Sequence, residues 1–252
     1  MVNAVMLFVQ HVLRAVTLPM IFSSAAQKHA HLGLAAAAHS QSAQSHAQEA
    51  GQCTGKCAEL VRATSFDVFE VTDDYDYTQP TCKNYATDST KTFGPFAHIR
   101  EALDFSYHGN YIEKRQRLQD MFITDTISGA TSHPESPWVI FTAGAMGAGK
   151  GHVIKWMSKS GHFALPDIVQ IDPDAFRSRF PEWPGYLARD RGTAGALTHR
   201  EAGLCVEVAQ EAALRASKHV WIDGSLRDSA WYSGVYGQIR LHHPQYRIAI
   251  LY

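Results

Sequence analysis

Nine residues near the middle of the chain have the composition and spacing of a loop that binds phosphate. Glycines at 144, 147 and 149 let the backbone curl so that its N–H groups point inward at phosphate oxygens. The lysine that follows adds a mobile positive charge, and the helix predicted after it adds its positive end. A turn that merely joins a strand to a helix is the alternative interpretation. We predict polyphosphate binding by Gly144, Ala145, Met146, Gly147, Ala148, Gly149, Lys150, Gly151 and His152.

The residue after this lysine departs from the usual pattern. Gly151 stands where a Ser or Thr hydroxyl normally contributes to binding the magnesium of the nucleotide. Because Mg²⁺ keeps several waters and needs few protein ligands, other carboxylates can compensate. Asp172 and Asp223 each follow an apolar run, and we expect them to hold Mg²⁺ directly or through water. The missing hydroxyl also argues against a guanine-nucleotide switch.

Two carboxylates lie two residues apart in "QIDPDAFRSRFPEWPGY", where Pro173 marks the end of a strand. A carboxylate beside a bound γ-phosphate can accept the proton of an attacking hydroxyl, as phosphoryl transfer requires. We therefore predict Asp174 as the catalytic base, acting with Lys150. The alternative is that Asp172 or Asp174 caps the helix that follows, and the two roles are compatible.

A third polar group follows the apolar residues of "VWIDGSLRDSAWY". Asp223 has the position of a carboxylate that orients magnesium or the acceptor in phosphate-loop proteins. Ser225 and Arg227 lie in the turn after it, and a guanidinium there can bind an acceptor phosphate in a bidentate manner. A surface ion pair is an equally good interpretation of Arg227 on spacing alone.

Strands and helices alternate around these residues. The apolar runs in "WVIFTAG", "DIVQID", "HVWIDG" and "YRIAILY" are typical of buried parallel strands, and helical segments separate them. This alternation predicts an α/β fold, with an open parallel sheet and helices on both faces. Ligands of such sheets bind beyond the carboxyl ends of the strands, which is where the candidate residues fall.

The chain before the first of these strands divides into three parts. Residues 1–50 contain no acid before Glu49 and are predicted to be a targeting segment or a disordered tail. Residues 51–97 form an irregular lead-in, with one short strand predicted at Phe66–Val71. From His98 the pattern is helical, with Leu118, Met121 and Phe122 on one predicted apolar stripe. The domain that carries the candidate site is predicted to span residues 98–252.

Composition limits the classes of function. The chain has 252 residues, 45% of them hydrophobic, and a net charge of −1, so no electrostatic surface for nucleic acid is expected. The four cysteines have irregular spacing, which favours reduced thiols over a disulfide scaffold or a zinc site. Arg14 and Pro19 interrupt the first apolar run, so no stable membrane span is expected. We expect an intracellular protein, cytoplasmic or, if the first segment is a transit peptide, mitochondrial.

Four segments in order carry a family resemblance: "GAMGAGKGHVIKWMSKSG", "IDPDAFRSRFPEWPGY", "TAGALTHREAG" and "WIDGSLRDSAWY". Together they resemble the zeta-toxin-like kinase domain, most closely its eukaryotic branch, over residues 107–252. The resemblance implies a P-loop NTPase-type kinase fold that uses ATP and Mg²⁺. Bacterial members phosphorylate a sugar hydroxyl of UDP-N-acetylglucosamine. The resemblance further implies that Glu201 contacts the acceptor and that Asp223, Ser225 and Arg227 belong to a substrate-binding segment.

The resemblance implies an ATP-dependent phosphotransferase with a small-molecule hydroxyl as acceptor, for example on a nucleotide sugar. The family carries arginines after the fourth strand that neutralise charge in the transition state. The chain ends at Tyr252, so we expect that it is truncated, that Arg189 or Arg191 substitutes, or that catalysis is lost. The alternative function is therefore a nucleotide-binding protein or fragment without turnover.

Overall fold

The four apolar runs form four parallel strands in the computed structural model, which describes residues 69–145, 147–162 and 164–252. Their order across the sheet is β2-β3-β1-β4. Because each pair of consecutive strands is parallel, a helical crossover must join them. The predicted strands and the open parallel sheet are thus confirmed, with bounds β1 Trp138–Thr142, β2 Val169–Ile171, β3 Val220–Ile222 and β4 Arg247–Leu251.

Helices fill the connections between the strands and precede the sheet. Four of them begin at an aspartate whose side chain accepts a backbone N–H, which satisfies an otherwise orphaned donor. These caps are Asp104, Asp172, Asp190 and Asp228. The helices are α1 Thr81–Asn84, α2 Ala97–Arg100, α3 Phe105–His108, α4 Glu113–Ser128, α5 Lys150–Lys159, α6 Pro173–Arg179, α7 Trp183–Arg189, α8 Arg191–Arg215 and α9 Ser229–His242.

Apolar side chains on the two faces of the sheet form two separate clusters, because successive strand residues point to opposite sides. On one face Trp138 and Ile140 pack with Ile154 and Met157 of α5. The other face is covered by α4, α8 and α9. The chain therefore leaves β1 on one face and β3 on the opposite face. Since these strands are neighbours, their carboxyl ends form a topological switch point, where ligands of open α/β sheets bind.

The helix before the sheet differs from the sequence prediction. Helix α4 begins at Glu113, and only short helices and turns occupy 98–112. Phe122 is buried as expected, whereas Leu118 and Met121 are half-buried. The inner face of α4 is largely polar and includes Arg115, Gln116, Gln119 and Asp120. A hydrophobic stripe is thus a poor guide to the orientation of this helix, because buried hydrogen-bond partners compensate for its polar groups.

That polar face forms a buried ion-pair network. The Arg115 guanidinium lies 2.9 Å from Glu182 and 2.6 Å from Glu201, and all three side chains are 0% exposed. Gln119 donates to Glu201 at 2.8 Å, and the hydroxyl of Tyr85 donates to Glu182. Buried charges are tolerated only when they are paired in this way. The network therefore joins α4, the start of α7 and the middle of α8.

The predicted strand Phe66–Val71 lies partly outside the described residues, and its described part, 69–71, is not a strand. The segments predicted to target the protein or to be disordered, residues 1–50, also lie outside them. Over the described ranges, the structure contains no helix with the length and apolarity that a bilayer crossing demands.

Candidate functional site

The loop between β1 and α5 has the backbone conformation that its glycines permit. Gly144, Gly147 and Gly149 have φ values of 131°, 78° and 88°, a region that side chains with a Cβ rarely adopt. A Cβ on Gly147 or Gly149 would meet no atom within 4 Å, so the requirement there is conformational rather than steric. This curled backbone leads directly into α5, which begins at Lys150. Met146 lies outside the described residues.

Lys150 lies against the loop that precedes it. Its Nζ donates to the carbonyl oxygens of Gly144 at 3.0 Å and Ala145 at 3.2 Å. Ala148, Gly151 and His152 are exposed around it. The first amides of any α-helix lack partners within the helix, and their positive end favours anions. The loop, the ammonium group and the start of α5 therefore share one exposed edge of the sheet and are suited to a polyphosphate.

Hydrogen bonds join the carboxyl ends of β1, β2 and β3 to one another and to the glycine loop. Thr142, the last residue of β1, donates its hydroxyl to Asp223 Oδ1 at 2.6 Å. The amide of Gly144 donates to the carbonyl oxygen of Ser225 at 3.3 Å. The amide of Asp223 donates to the carbonyl oxygen of Ile171 at 2.9 Å. The carboxyl ends of β1, β2 and β3 thus hold Asp223 and Ser225 beside the glycine loop.

Asp172 and Asp223 form the acidic part of this edge. Asp172 is half-buried and accepts the amide of Asp174 at 2.8 Å, so the predicted helix cap is present. Burial raises the pKa of Asp172 against the opposing hydrogen bond, and the charges of Asp174 and Asp223 raise it further. A cation near these carboxylates would relieve that repulsion. Among the described residues, no group of three or more His, Cys, Asp or Glu is placed to hold a metal ion. A Mg²⁺ ion at this edge would therefore have at most Asp172 and Asp223 as carboxylate ligands and would keep several waters.

Asp174 lies on the first turn of α6, and its side chain is 69% exposed. It forms an ion pair with Arg177, whose side chain is only 17% exposed. The other end of that guanidinium, Nη2, lies 3.1 Å from Nδ1 of His199 on α8. Asp174 is therefore an accessible carboxylate that a bound hydroxyl can approach, and Arg177 restricts its orientation.

The two remaining residues predicted to contact an acceptor, Glu201 and Arg227, lie in contrasting places. Glu201 is 0% exposed, and both of its oxygens bind Arg115. Its charge is thus already paired with a buried cation, and contact between Glu201 and an acceptor stays a prediction. Ser225 and Arg227 are exposed in the loop before α9. Arg227 forms no salt bridge with any described residue, so the alternative of a surface ion pair is not observed there.

Two residues at this edge were missed by the sequence analysis. Thr142 bonds Asp223, and a Thr that ends an apolar strand before a glycine loop was the available signal. Tyr232 on α9 approaches so closely that a Cβ on Gly224 would lie 2.9 Å from its hydroxyl. No local pattern indicates that contact, because it depends on how α9 packs on the sheet.

A separate cavity lies away from this edge. It has a volume of about 750 Å³ and lies between α8, α9 and residues 99–103. Its lining includes Leu103, Glu211, Trp231 and Ile239, and none of the predicted site residues. Because open parallel sheets bind ligands at their carboxyl edge, we assign the candidate site to that edge and not to this cavity.

A parallel sheet with a curled glycine loop at its switch point defines the phosphate-loop class of α/β proteins. Within that class, the chain belongs to the Zeta toxin family, whose sequence model matches residues 123–252, just over half of the chain. A search of curated proteins found no match. Structural comparison finds a chain of the PezAT chromosomal toxin-antitoxin system of the human pathogen Streptococcus pneumoniae, with 21% identity and a TM-score of 0.48. The match covers 56% of this chain and 55% of that one.

Two further similar structures are complexes of AvrRxo1-ORF1 with AvrRxo1-ORF2. The complex with sulphate ions has 18% identity and a TM-score of 0.45, and the complex with ATP has 18% identity and a TM-score of 0.42. Each match covers 68% of this chain and 54% of the other. The protein thus spans about half the length of the structures that it matches.

Proposed function

We propose that the protein is an ATP-dependent kinase that transfers the γ-phosphoryl group to a hydroxyl of a small molecule, with a nucleotide sugar such as UDP-N-acetylglucosamine as the acceptor. The observation that carries this proposal is the loop of three glycines with positive φ, which precedes Lys150 at the β1–β3 switch point. Membership of the Zeta toxin family supports the reaction class.

In this proposal the loop binds the phosphates of ATP. Backbone amides between Gly144 and Gly151 donate to the phosphate oxygens, and Lys150 exchanges its loop carbonyl partners for the β- and γ-phosphates. This exchange is favourable because an ammonium–phosphate hydrogen bond joins two charged groups. Nucleotide affinity therefore rests on the loop and on one side chain.

Asp174 is the proposed base. Its exposed carboxylate accepts the proton of the acceptor hydroxyl as the oxygen attacks the γ-phosphorus in line with the leaving oxygen. Ser225 and Arg227 are proposed to bind the acceptor, because both are exposed in the loop that contacts the glycine loop. An exposed guanidinium that forms no salt bridge with the described residues suits the diphosphate of a nucleotide sugar.

Asp223 and Asp172 would hold Mg²⁺, directly or through water. The residues fit this ion, because two close carboxylates repel each other without a cation, and Thr142 fixes the orientation of Asp223. Bound with the nucleotide, Mg²⁺ neutralises charge on the phosphate oxygens. The proposed role of Asp172 is compatible with its cap on α6.

One observation favours a second candidate, a nucleotide-binding protein without turnover. Gly151 supplies no hydroxyl at the position where phosphate-loop enzymes normally bind magnesium. The two candidates share the same loop and differ in whether the γ-phosphate leaves ATP.

The test is phosphoryl transfer by the full chain with ATP, Mg²⁺ and UDP-N-acetylglucosamine, followed by ³¹P NMR. The kinase proposal predicts a new phosphomonoester resonance on the sugar and its loss in Asp174→Asn, which cannot accept the proton. Binding of ATP without consumption would support the second candidate. Transfer that persists unchanged in Asp174→Asn would remove that residue from the mechanism.

A further inference from the structure

The pair Asp174–Arg177 is more than two neighbours on one helix. Arg177 lies three residues after Asp174, and surface pairs of this kind normally contribute little. Here, however, the cation is the more buried partner, with 17% exposure against 69% for the carboxylate. The guanidinium is therefore the less exposed and less mobile of the two groups, and the carboxylate depends on it for its position.

The group that holds the guanidinium from the other side is His199. Since every nitrogen of an arginine is a donor, the contact of 3.1 Å requires Nδ1 of His199 to accept. The ring must then be neutral. His199 is exposed, but partial desolvation of its ring lowers its pKa, and the charge of Arg177 lowers it further, which favours that neutral form. Helix α8 thus fixes Arg177, and Arg177 fixes Asp174.

We propose that Arg177 and His199 are positioning residues for the base Asp174. This inference rests on the proposed kinase function and extends it. The proton leaves the acceptor oxygen for Asp174, while Arg177 and His199 exchange no proton and touch no reactant. Because a loose phosphoryl-transfer transition state needs little basicity, the orientation of the carboxylate matters more than the loss of basicity that a nearby cation causes.

The first experiment compares two arginines of the same helix. Arg177→Lys keeps the charge but cannot contact Asp174 and His199 together in a planar fork. Arg179→Lys is the matched control, because Arg179 binds Asp125 and the carbonyl of Phe122 instead. We expect Arg177→Lys to lower kcat for UDP-N-acetylglucosamine phosphorylation roughly tenfold to hundredfold, with KM for ATP within about twofold. Arg179→Lys should leave kcat within about twofold.

The second experiment tests His199 by rescue. His199→Asn places an amide oxygen near the position of Nδ1 and should retain most of kcat, whereas His199→Leu removes the acceptor and should resemble Arg177→Lys. Thermal unfolding of each variant identifies any that fail to fold. His199 could act as a hydrogen-bond acceptor for Arg177 or only as a packing residue. His199→Asn separates these two roles even if His199→Leu is unstable, since an acceptor atom would not restore a packing role.

The outcomes separate this inference from the function on which it rests. If the wild-type chain neither phosphorylates UDP-N-acetylglucosamine nor hydrolyses ATP, the proposed function fails, and this inference fails with it. If the wild type is active and Arg177→Lys matches Arg179→Lys in kcat, the inference alone is overturned. An equal loss in His199→Asn and His199→Leu, with both folded, would likewise remove His199 from the positioning role.

Discussion

Arg115 is a fully buried cation between two fully buried carboxylates, Glu182 and Glu201. Two aromatic rings also contact this guanidinium, which lies 4.2 Å from the centre of the Tyr85 ring and 5.1 Å from that of Phe180. These cation–π contacts stabilise the cation in the same position. Removing the cation would leave two carboxylates without their counter-charge inside the protein. Such a loss is far more costly than the loss of an exposed ion pair.

We predict that Arg115→Met lowers the free energy of unfolding by about 3–5 kcal/mol, because it leaves these two buried carboxylates without their cation. Arg117→Met is the matched control on the same helix: Arg117 is 60% exposed and pairs with Glu113 four residues earlier. That change should cost under about 1 kcal/mol. Urea denaturation measures both, and similar losses in the two variants would contradict a structural role for the buried network.

The start of β3 illustrates how a side chain joins two elements. Nδ1 of His219 accepts the amide of Trp138 at 2.9 Å, which ties the beginning of β1 to the beginning of β3. The ring of His133 stacks on His219 at 3.9 Å, and His133 bonds Asp167 at 2.8 Å. Burial lowers the pKa of His219 to about 4, and the charge of His133 adds to this effect against the opposing charge of Asp167.

This shift predicts acid sensitivity. Between the ordinary histidine pKa of 6.5 and about 4, the unfolded chain binds a proton at this site that the folded protein does not. The free energy of unfolding should therefore fall as pH drops through that window, by about 1–2 kcal/mol once partial exposure is allowed for. His219→Asn keeps an acceptor for Trp138 and should flatten this dependence in urea titrations. His242 is exposed, and the control variant His242→Asn should keep the pH dependence of the wild type. The same pH dependence in both variants would contradict its assignment to His219.

At the scale of the elements, the strands and the glycine loop could be predicted, because each depends on a local pattern. The four apolar runs became the four strands, and Gly144, Gly147 and Gly149 adopt the backbone angles that their type permits. The inner face of α4 could not be predicted. Its polar residues are buried because their partners lie far along the chain: Arg115 and Glu201 are 86 residues apart. Hydrophobic periodicity records no information about such pairs.

At the scale of the whole molecule, the candidate site could be predicted from sequence only where it depends on local patterns, and not where it depends on contacts between distant segments. The position of Lys150, Asp172 and Asp223 at one edge of the parallel sheet could be predicted, because strand ends and a glycine loop mark that edge. The burial of Glu201 could not be predicted, because its motif lies on α8, whose inward face only packing defines. Arg177 and His199 were missed for the same reason, since their contact crosses from α6 to α8.

The account depends most on polyphosphate binding by the loop between β1 and α5. Isothermal titration of the full chain with ATP and Mg²⁺ tests this most directly, with Lys150→Ala compared with Lys155→Ala. Lys155 is exposed on the same helix and is remote from the loop carbonyls that Lys150 contacts. We predict that Lys150→Ala weakens ATP binding at least about tenfold, because a charged hydrogen bond is lost, while Lys155→Ala binds as the wild type does. Equal affinity in both variants, or no binding by the wild type, would contradict the account.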